Sequence, residues 1–278
     1  MRPRARSAGR RAVLCGVGLA LALVALAPYV VMVCTALKPD SELRITPPRL
    51  TPIEWQPGNF RVVLGDPGFR AWLKASLIVA LTSTLIVLLV GTPAAYYTAR
   101  HRFRGRSAFL VLLLVTQMFS PTALVVGLYR QFFELGLVDT YAALILTNAA
   151  FNLAFAVWIL RAFFAAIPRE IEEAAAVDGC GRLRALVEIV LPLSLPALVT
   201  AAIFAFIAAW NEYIVALTLM TDPARKPLTV GITSYVTAYI QHWNYLFAAS
   251  VIAIVPVVVL FASIERHLVG GLTAGSVK

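Results

Sequence analysis

Six long stretches of this chain contain no Asp, Glu, Lys or Arg at all: residues 12–37, 75–99, 107–129, 140–160, 189–211 and 242–264. Each can hold the roughly 20 apolar residues that a helix needs to cross a bilayer. In lipid, every backbone N–H and C=O must find its partner within the protein, so only helices and closed barrels span. The alternation of lipid-facing and lumen-facing residues that marks barrel strands is not evident in these stretches. The expected fold is therefore an all-α integral membrane protein with six transmembrane helices. Pro28, Pro93, Pro121 and Pro256 fall inside or near the ends of these stretches, where neighbouring helices can satisfy the freed carbonyls.

Composition agrees. Of the 278 residues, 60% are hydrophobic and 14% charged, against roughly 45–50% and about 25% in soluble domains. The net charge of +10 could suggest nucleic acid in a soluble chain. Here the basic residues sit in short connections between apolar runs, where they encode orientation. Both ends and the loops 100–106 and 161–188 hold 15 of the 24 Lys and Arg residues; six of the other nine are spread thinly over 38–74. Both termini and the Arg-rich short loops are thus expected on the cytoplasmic side. The organisation expected is a cytoplasmic tail over 1–11 and one membrane domain over 12–278, with its core at about 70–265. The first apolar run has 26 residues, longer than the ~7–15 of a signal-peptide core, and is expected to be an uncleaved span. The outer segment after it contains Pro39, Pro47, Pro48, Pro52, Pro57 and Pro67, which predicts irregular surface chain.

Three cysteines add no framework. Cys15 and Cys34 lie 19 residues apart; on one helix that separation is roughly 28 Å, out of reach of a disulfide. Cys180 stands alone in a charged loop, and no metal-ligand or redox spacing occurs.

The loop 161–195 carries the most information. After Pro168 come Arg169, Glu170, Ile171, Glu172, Glu173, Ala174, Ala175, Ala176, Val177, Asp178 and Gly179. Proline followed by acids suits a helix start, the alanines favour its body, and Gly179 suits its end. Such a helix of about nine residues would be marginal alone and needs something to pack against. The segment resembles the EAA loop of binding-protein-dependent importers of the ATP-binding-cassette class. That pattern is Glu-Ala-Ala, three residues, Gly, nine residues, Ile, one residue, Leu-Pro. Here Glu173, Ala174, Ala175, Gly179, Ile189, Leu191 and Pro192 meet every spacing. The resemblance extends to Ala94, Ala95, Tyr96, Tyr97, Thr98, Ala99 and Arg100 with Phe103, Arg104 and Gly105, and to the turn from Gly136 through Asp139 to Tyr141. It also covers the ending 268–278; in these stretches the chain is similar to sugar-type, and in particular maltose-type, permeases.

The resemblance implies a cytoplasmic coupling helix that docks into a separate ATPase, with Glu173, Ala174, Ala175, Asp178 and Gly179 as the docking residues. It also implies a heterodimer with a second permease, two ATPase subunits and an extracytoplasmic solute-binding protein, with this chain multi-pass in the inner or plasma membrane of a prokaryote. The chain itself would bind no cofactor; ATP and Mg would be used by the ATPase. Transport of a carbohydrate by alternating access is the implied function, and a non-sugar solute is the alternative.

Other classes fare worse. No G-x-x-x-x-G-K-[ST] phosphate loop occurs, nor H-E-x-x-H or G-x-S-x-G. His101, His242 and His267 lie far apart at the edges of apolar runs. A secondary transporter would need ionisable groups within the spans for ion coupling, and these are almost absent. Polar residues within apolar segments are candidates for a substrate path: Gln117, Asn148, Asn152, and the group Trp210, Asn211, Glu212 and Tyr213, whose aromatic faces and polar edges suit a sugar. Two alternatives stay open. The fifth helix can end near Asn211 and leave Trp210 and Tyr213 as interface residues, and Asn148 and Asn152, one turn apart, can equally bind helices together.

Overall fold

The computed structural model describes residues 4–237, 239 and 241–273, and the side chains from 13 to 263 within that range. Arg2 and Lys278, the side chains of Arg4, Arg6, Arg10, Arg11, Arg266 and His267, and those of the ending 268–278 lie outside the described residues. Every regular element among the described residues is helical; one antiparallel bridge joins Val236 and Gln241. In chain order the helices are α1 (Arg4–Ala36), α2 (Gly58–Gly65), α3 (Pro67–Arg100), α4 (Arg106–Met118), α5 (Pro121–Glu134), α6 (Tyr141–Ala166), α7 (Arg169–Val177), α8 (Arg182–Ala185), α9 (Leu191–Leu193), α10 (Leu195–Trp210), α11 (Ile214–Leu219), α12 (Leu228–Gly231) and α13 (Trp243–Thr273). A π turn, Leu186–Val190, joins α8 to α9.

Four of these helices are long and apolar enough to cross a membrane: α1 over Val13–Ala36, α3, α6, and α13 over Trp243–Ser263. Two further apolar runs are bent rather than continuous. The run 107–129, expected as one helix, is α4 followed by α5 at 97°. Pro121 lacks an N–H, Ser120 before it adopts extended backbone (φ −70°, ψ 133°), and a new helix starts there. The run 189–211 breaks at Ser194 (φ −96°, ψ 8°), two residues before Pro196, and Arg182–Leu193 meets α10 at 79°. Pro28, Pro93 and Pro256, by contrast, lie inside continuous helices. Among the described residues, four helices are candidate spans, or up to six if each bent pair is one.

The chain forms two compact units. One comprises Met1–Asp66 with Ile232–Ile254. In it the buried Asn59 amide donates to the Ala36 and Lys38 carbonyls, both at 2.9 Å, and accepts from Asn244 at 3.5 Å. The proline-rich segment is held as well. The Lys38 ammonium donates to the Arg49 carbonyl, and the Glu42 carboxylate accepts the Ile53 and Glu54 N–H groups. Segment 38–57 is therefore anchored, irregular chain containing one 3-10 turn at Asp40–Arg44.

The other unit comprises Pro67–Gly231 with Val255–Lys278. Its centre is α3 packed along α6 and α10. The contact uses small residues: Ala95 and Ala99 on α3, Ala149 and Ala156 on α6, Ala197, Ala201 and Ala205 on α10. A Cβ at Gly91 would already touch Leu153 at 3.4 Å. A second cluster joins Val79, Phe132, Leu144, Val215, Leu219 and Val230. Trp72 is fixed there by its indole N–H, which donates to the Pro223 carbonyl at 2.8 Å, and its ring lies against Gly231.

Asp139 clasps the α5–α6 turn to the segment after α11. It sits at φ 61°, its N–H donates to the Leu219 carbonyl, and its carboxylate accepts the Thr221 hydroxyl and the Thr221 and Asp222 N–H groups. The Thr221 hydroxyl first, and then the Asp222 N–H, hold its carboxyl below the ordinary aspartate value of 3.8. A lowered value in the fold means that the clasp stabilises above the unfolded value and is lost as pH falls through the folded one. Asp139→Asn, which tolerates the same backbone, should lower the melting temperature of the detergent-purified protein at neutral pH. The gap to the unaltered chain should close as pH drops below about 4. Gly231→Ala should be destabilising by about 1–3 kcal/mol at any pH, because its Cβ would lie 2.2 Å from Trp72; thermal unfolding reads this directly.

Candidate functional site

The segment singled out by its Glu-Ala-Ala pattern forms α7, which starts after the extended Pro168 and has Glu170 and Glu172 in its first turn. Its end is a Schellman closure: the Gly179 N–H donates to the Ala176 carbonyl and the Cys180 N–H to the Ala175 carbonyl. Gly179 adopts φ 81° with open space around its Cα, so conformation and not crowding requires glycine there. Glu173, Ala174, Asp178 and Gly179 are exposed, whereas Ala175 is buried in its own chain. Of the five residues expected to face a partner, Ala175 supports the helix from beneath and the other four form its surface. Ile171, Val177 and Leu183 add exposed apolar area beside them.

The inner side of α7 carries what the sequence did not single out. Glu172, the neighbour of the motif acid, points back to the end of α3. Its carboxylate accepts the Tyr96 hydroxyl at 2.5 Å and forms an ion pair with Arg100 at 2.6 Å, close in distance though not aligned as a hydrogen bond. Arg100 also donates to the Ile167 carbonyl at 3.0 Å, and Arg169 donates to the Arg100 carbonyl at 3.2 Å. The Tyr96 ring meets Phe164 edge-on at 5.9 Å. His101, stacked on Tyr97, approaches Arg182 at 3.3 Å. The sequence offered only half of this: Tyr96 and Arg100 are one turn apart, on one face at the end of a helix, but their acid lies on α7, three intervening helices and 72 residues beyond Arg100.

The residues considered for a substrate path are placed as follows. Asn148 and Asn152 donate to carbonyls one turn back in α6, Leu144 at 2.9 Å and Asn148 at 2.8 Å. Gln117 of α4 donates to the Phe151 carbonyl of the same stretch of α6 at 2.9 Å. Helix α10 ends at Trp210, which is buried and stacked on Phe206; the fifth apolar run thus ends near Asn211. Asn211 is exposed and Tyr213 half-buried. The Glu212 carboxylate accepts the Val215 and Ala216 N–H groups at 2.7 and 2.9 Å and so caps α11, while its carbonyl accepts the Thr229 hydroxyl. Glu212→Ala should therefore cost about 0.5–2 kcal/mol, as cap removal does, seen as a lower melting temperature in detergent.

Residues 88–273 match the family described as binding-protein-dependent transport system inner membrane component. The chain belongs to this family. It is a multi-pass inner-membrane transport component. Among its relatives is the trehalose/maltose transport system permease protein MalG of Thermococcus litoralis, 35% identical over 261 residues, which are 93% of each chain. The sulfoquinovosyl glycerol transport system permease protein SmoH of Agrobacterium fabrum is 36% identical, over 90% of this chain and 88% of its own. The diacetylchitobiose uptake system permease protein DasC of Streptomyces coelicolor is 32% identical, over 90% and 91%. In fold, the chain is similar to a chain of a bacterial ABC transporter involved in the import of the acidic polysaccharide alginate. The TM-score is 0.81 and the identity 23%, over 96% of this chain and 99% of that one.

Proposed function

We propose that this chain is the permease subunit of an ATP-binding-cassette importer for a carbohydrate, and that it forms half of the translocation path. The observation that carries the reading is the exposed face of α7, where the motif residues Glu173, Ala174, Asp178 and Gly179 stand out from an otherwise apolar bundle. A short helix held to its own chain on one side and open on the other is suited to a protein groove, with an acid for polar contact and Ile171 and Val177 for apolar contact. The cargo class rests on the relatives, whose names specify trehalose and maltose, sulfoquinovosyl glycerol and diacetylchitobiose. They lend no support to a non-sugar cargo or to an ATP-independent carrier.

In this reading each bent pair counts as one span, giving six, with both termini and α7 in the cytoplasm; the Arg-rich loops support that orientation. A second permease supplies the other half of the path, and a solute-binding protein delivers cargo from outside. Two ATPase subunits bind ATP and Mg, and this chain carries no cofactor and catalyses no bond chemistry. Nucleotide-driven closure of the ATPases acts through α7 to alternate access. Glu212, Asn211 and Tyr213 at the break after α10, with Asn148 and Asn152, remain the proposed polar positions along the path.

Capture of the tagged chain from its own membranes in mild detergent should recover a second permease and an ATPase. Gly179→Asp, which adds a charge at the exposed turn, should lose the ATPase while the permease pair persists. A chain that purifies alone and moves maltose or trehalose into liposomes without ATP would sink the reading.

A further inference from the structure

The docking face of α7 leaves open how a push on that helix reaches the bundle. Toward α10 the route along the chain is poor: it passes Gly179 at φ 81°, then the π turn Leu186–Val190, then the 79° bend before α10. Toward α6 it is short, because only Ile167 and Pro168 separate α7 from the end of α6. A further route, into α3, exists through side chains. Glu172 on α7 is held by Tyr96 and Arg100 of the last turns of α3, at 2.5 and 2.6 Å. The Arg100 and Glu172 side chains are only 8% and 18% exposed, so solvent ions screen the pair weakly. Two backbone contacts flank it, from Arg100 to Ile167 and from Arg169 to Arg100. The start of α7 is thereby bound to the end of α3 on both sides of the intervening turn.

We infer that Glu172, gripped by Tyr96 and Arg100, is a positioning residue that makes α7 and the end of α3 move as one body, so that a displacement imposed on α7 is delivered straight into α3. The inference rests on the reading of α7 as an ATPase-docking helix and divides two adjacent acids by task. Glu173 faces the partner; Glu172 holds the chain's own bundle. Because α3 packs along both α6 and α10, the displacement enters at the centre of the helical core rather than at the end of α10.

The test uses the complex captured through a tag on the full chain, in nanodiscs, with native cysteines replaced and spin labels at Glu170→Cys on α7 and Val90→Cys on α3, both exposed. Pulsed-resonance distances are compared without nucleotide and with ATP and vanadate. With the grip intact, one narrow distance should hold in both states. Glu172→Ala should broaden it and shift it by several ångströms on nucleotide addition while the ATPase still co-purifies. Glu172→Gln, which keeps an acceptor for Tyr96, and Tyr96→Phe, which removes one hydroxyl, should each give a smaller shift; they decide the matter if the alanine variant does not accumulate. A distance that stays narrow and fixed in the variants, or one that already shifts in the unaltered chain, overturns the tether. Failure to recover any ATPase with the unaltered chain would overturn the docking reading itself, and the tether with it.

Discussion

Close approach of α3, α6 and α10 is the constraint from which the rest of the larger unit follows. Between helices in lipid there is no gain from leaving water, so association depends on dispersion contact and on interhelical hydrogen bonds. Small residues supply the first. Gly91, Ala95, Ala156, Ala201 and Ala205 let backbones come near, and Val87, Val157 and Leu160 fill what is left. Polar groups supply the second: the Ser83 hydroxyl donates to the Ile145 carbonyl, and the Gln117 amide to that of Phe151. The same packed strip runs on to Phe164 and Ile167, the residues against which Tyr96 and Arg100 are set. The position of α7 is thus a consequence of how tightly three helices meet farther along.

Much of this was legible in the sequence, at the resolution that hydropathy and spacing allow. Charge-free runs located α1, α3, α6 and α13, because a bilayer imposes length and apolarity on any span. The Glu-Ala-Ala spacing located α7, and Gly179 located its end, because a left-handed closing residue is a local demand. The breaks at Ser120 and Ser194 were not legible. A proline can begin a new helix, as Pro121 does, or ride inside one, as Pro93 does. Which of these happens depends on how neighbouring helices re-satisfy the backbone, and that is a property of the assembled bundle.

The polar residues of the spans show the same limit. Asn148 and Asn152 are one turn apart, but spacing could not tell that their amides bond back to their own helix. Hydropathy left open whether Glu212 lies within the fifth helix or just past its end near Asn211. Once α10 ends at Trp210, four exposed N–H groups need acceptors at the start of α11, and the nearest carboxylate takes two of them. What hydropathy presents as a charge in the membrane is here the solution to a helix terminus.

Helical phase explains how Glu172 comes to be half-buried against α3 while Glu173 is exposed. At 3.6 residues per turn, neighbours on a helix point about 100° apart. With Ala175 buried, the inward stripe of α7 takes in Glu172, three residues earlier, and leaves Glu173 outside it. Nothing in the order of letters says which of two adjacent glutamates lies inward; the position of Arg100 does. Energetics then favour keeping the inward pair whole. Removing one member of a buried ion pair leaves an uncompensated charge and costs about 3–5 kcal/mol, whereas replacing both with apolar groups is often nearly neutral. A pair of this kind contributes modestly to stability when intact and strongly resists being pulled apart. That asymmetry suits a joint that carries load between a nine-residue helix, marginal by itself, and the bundle that holds it.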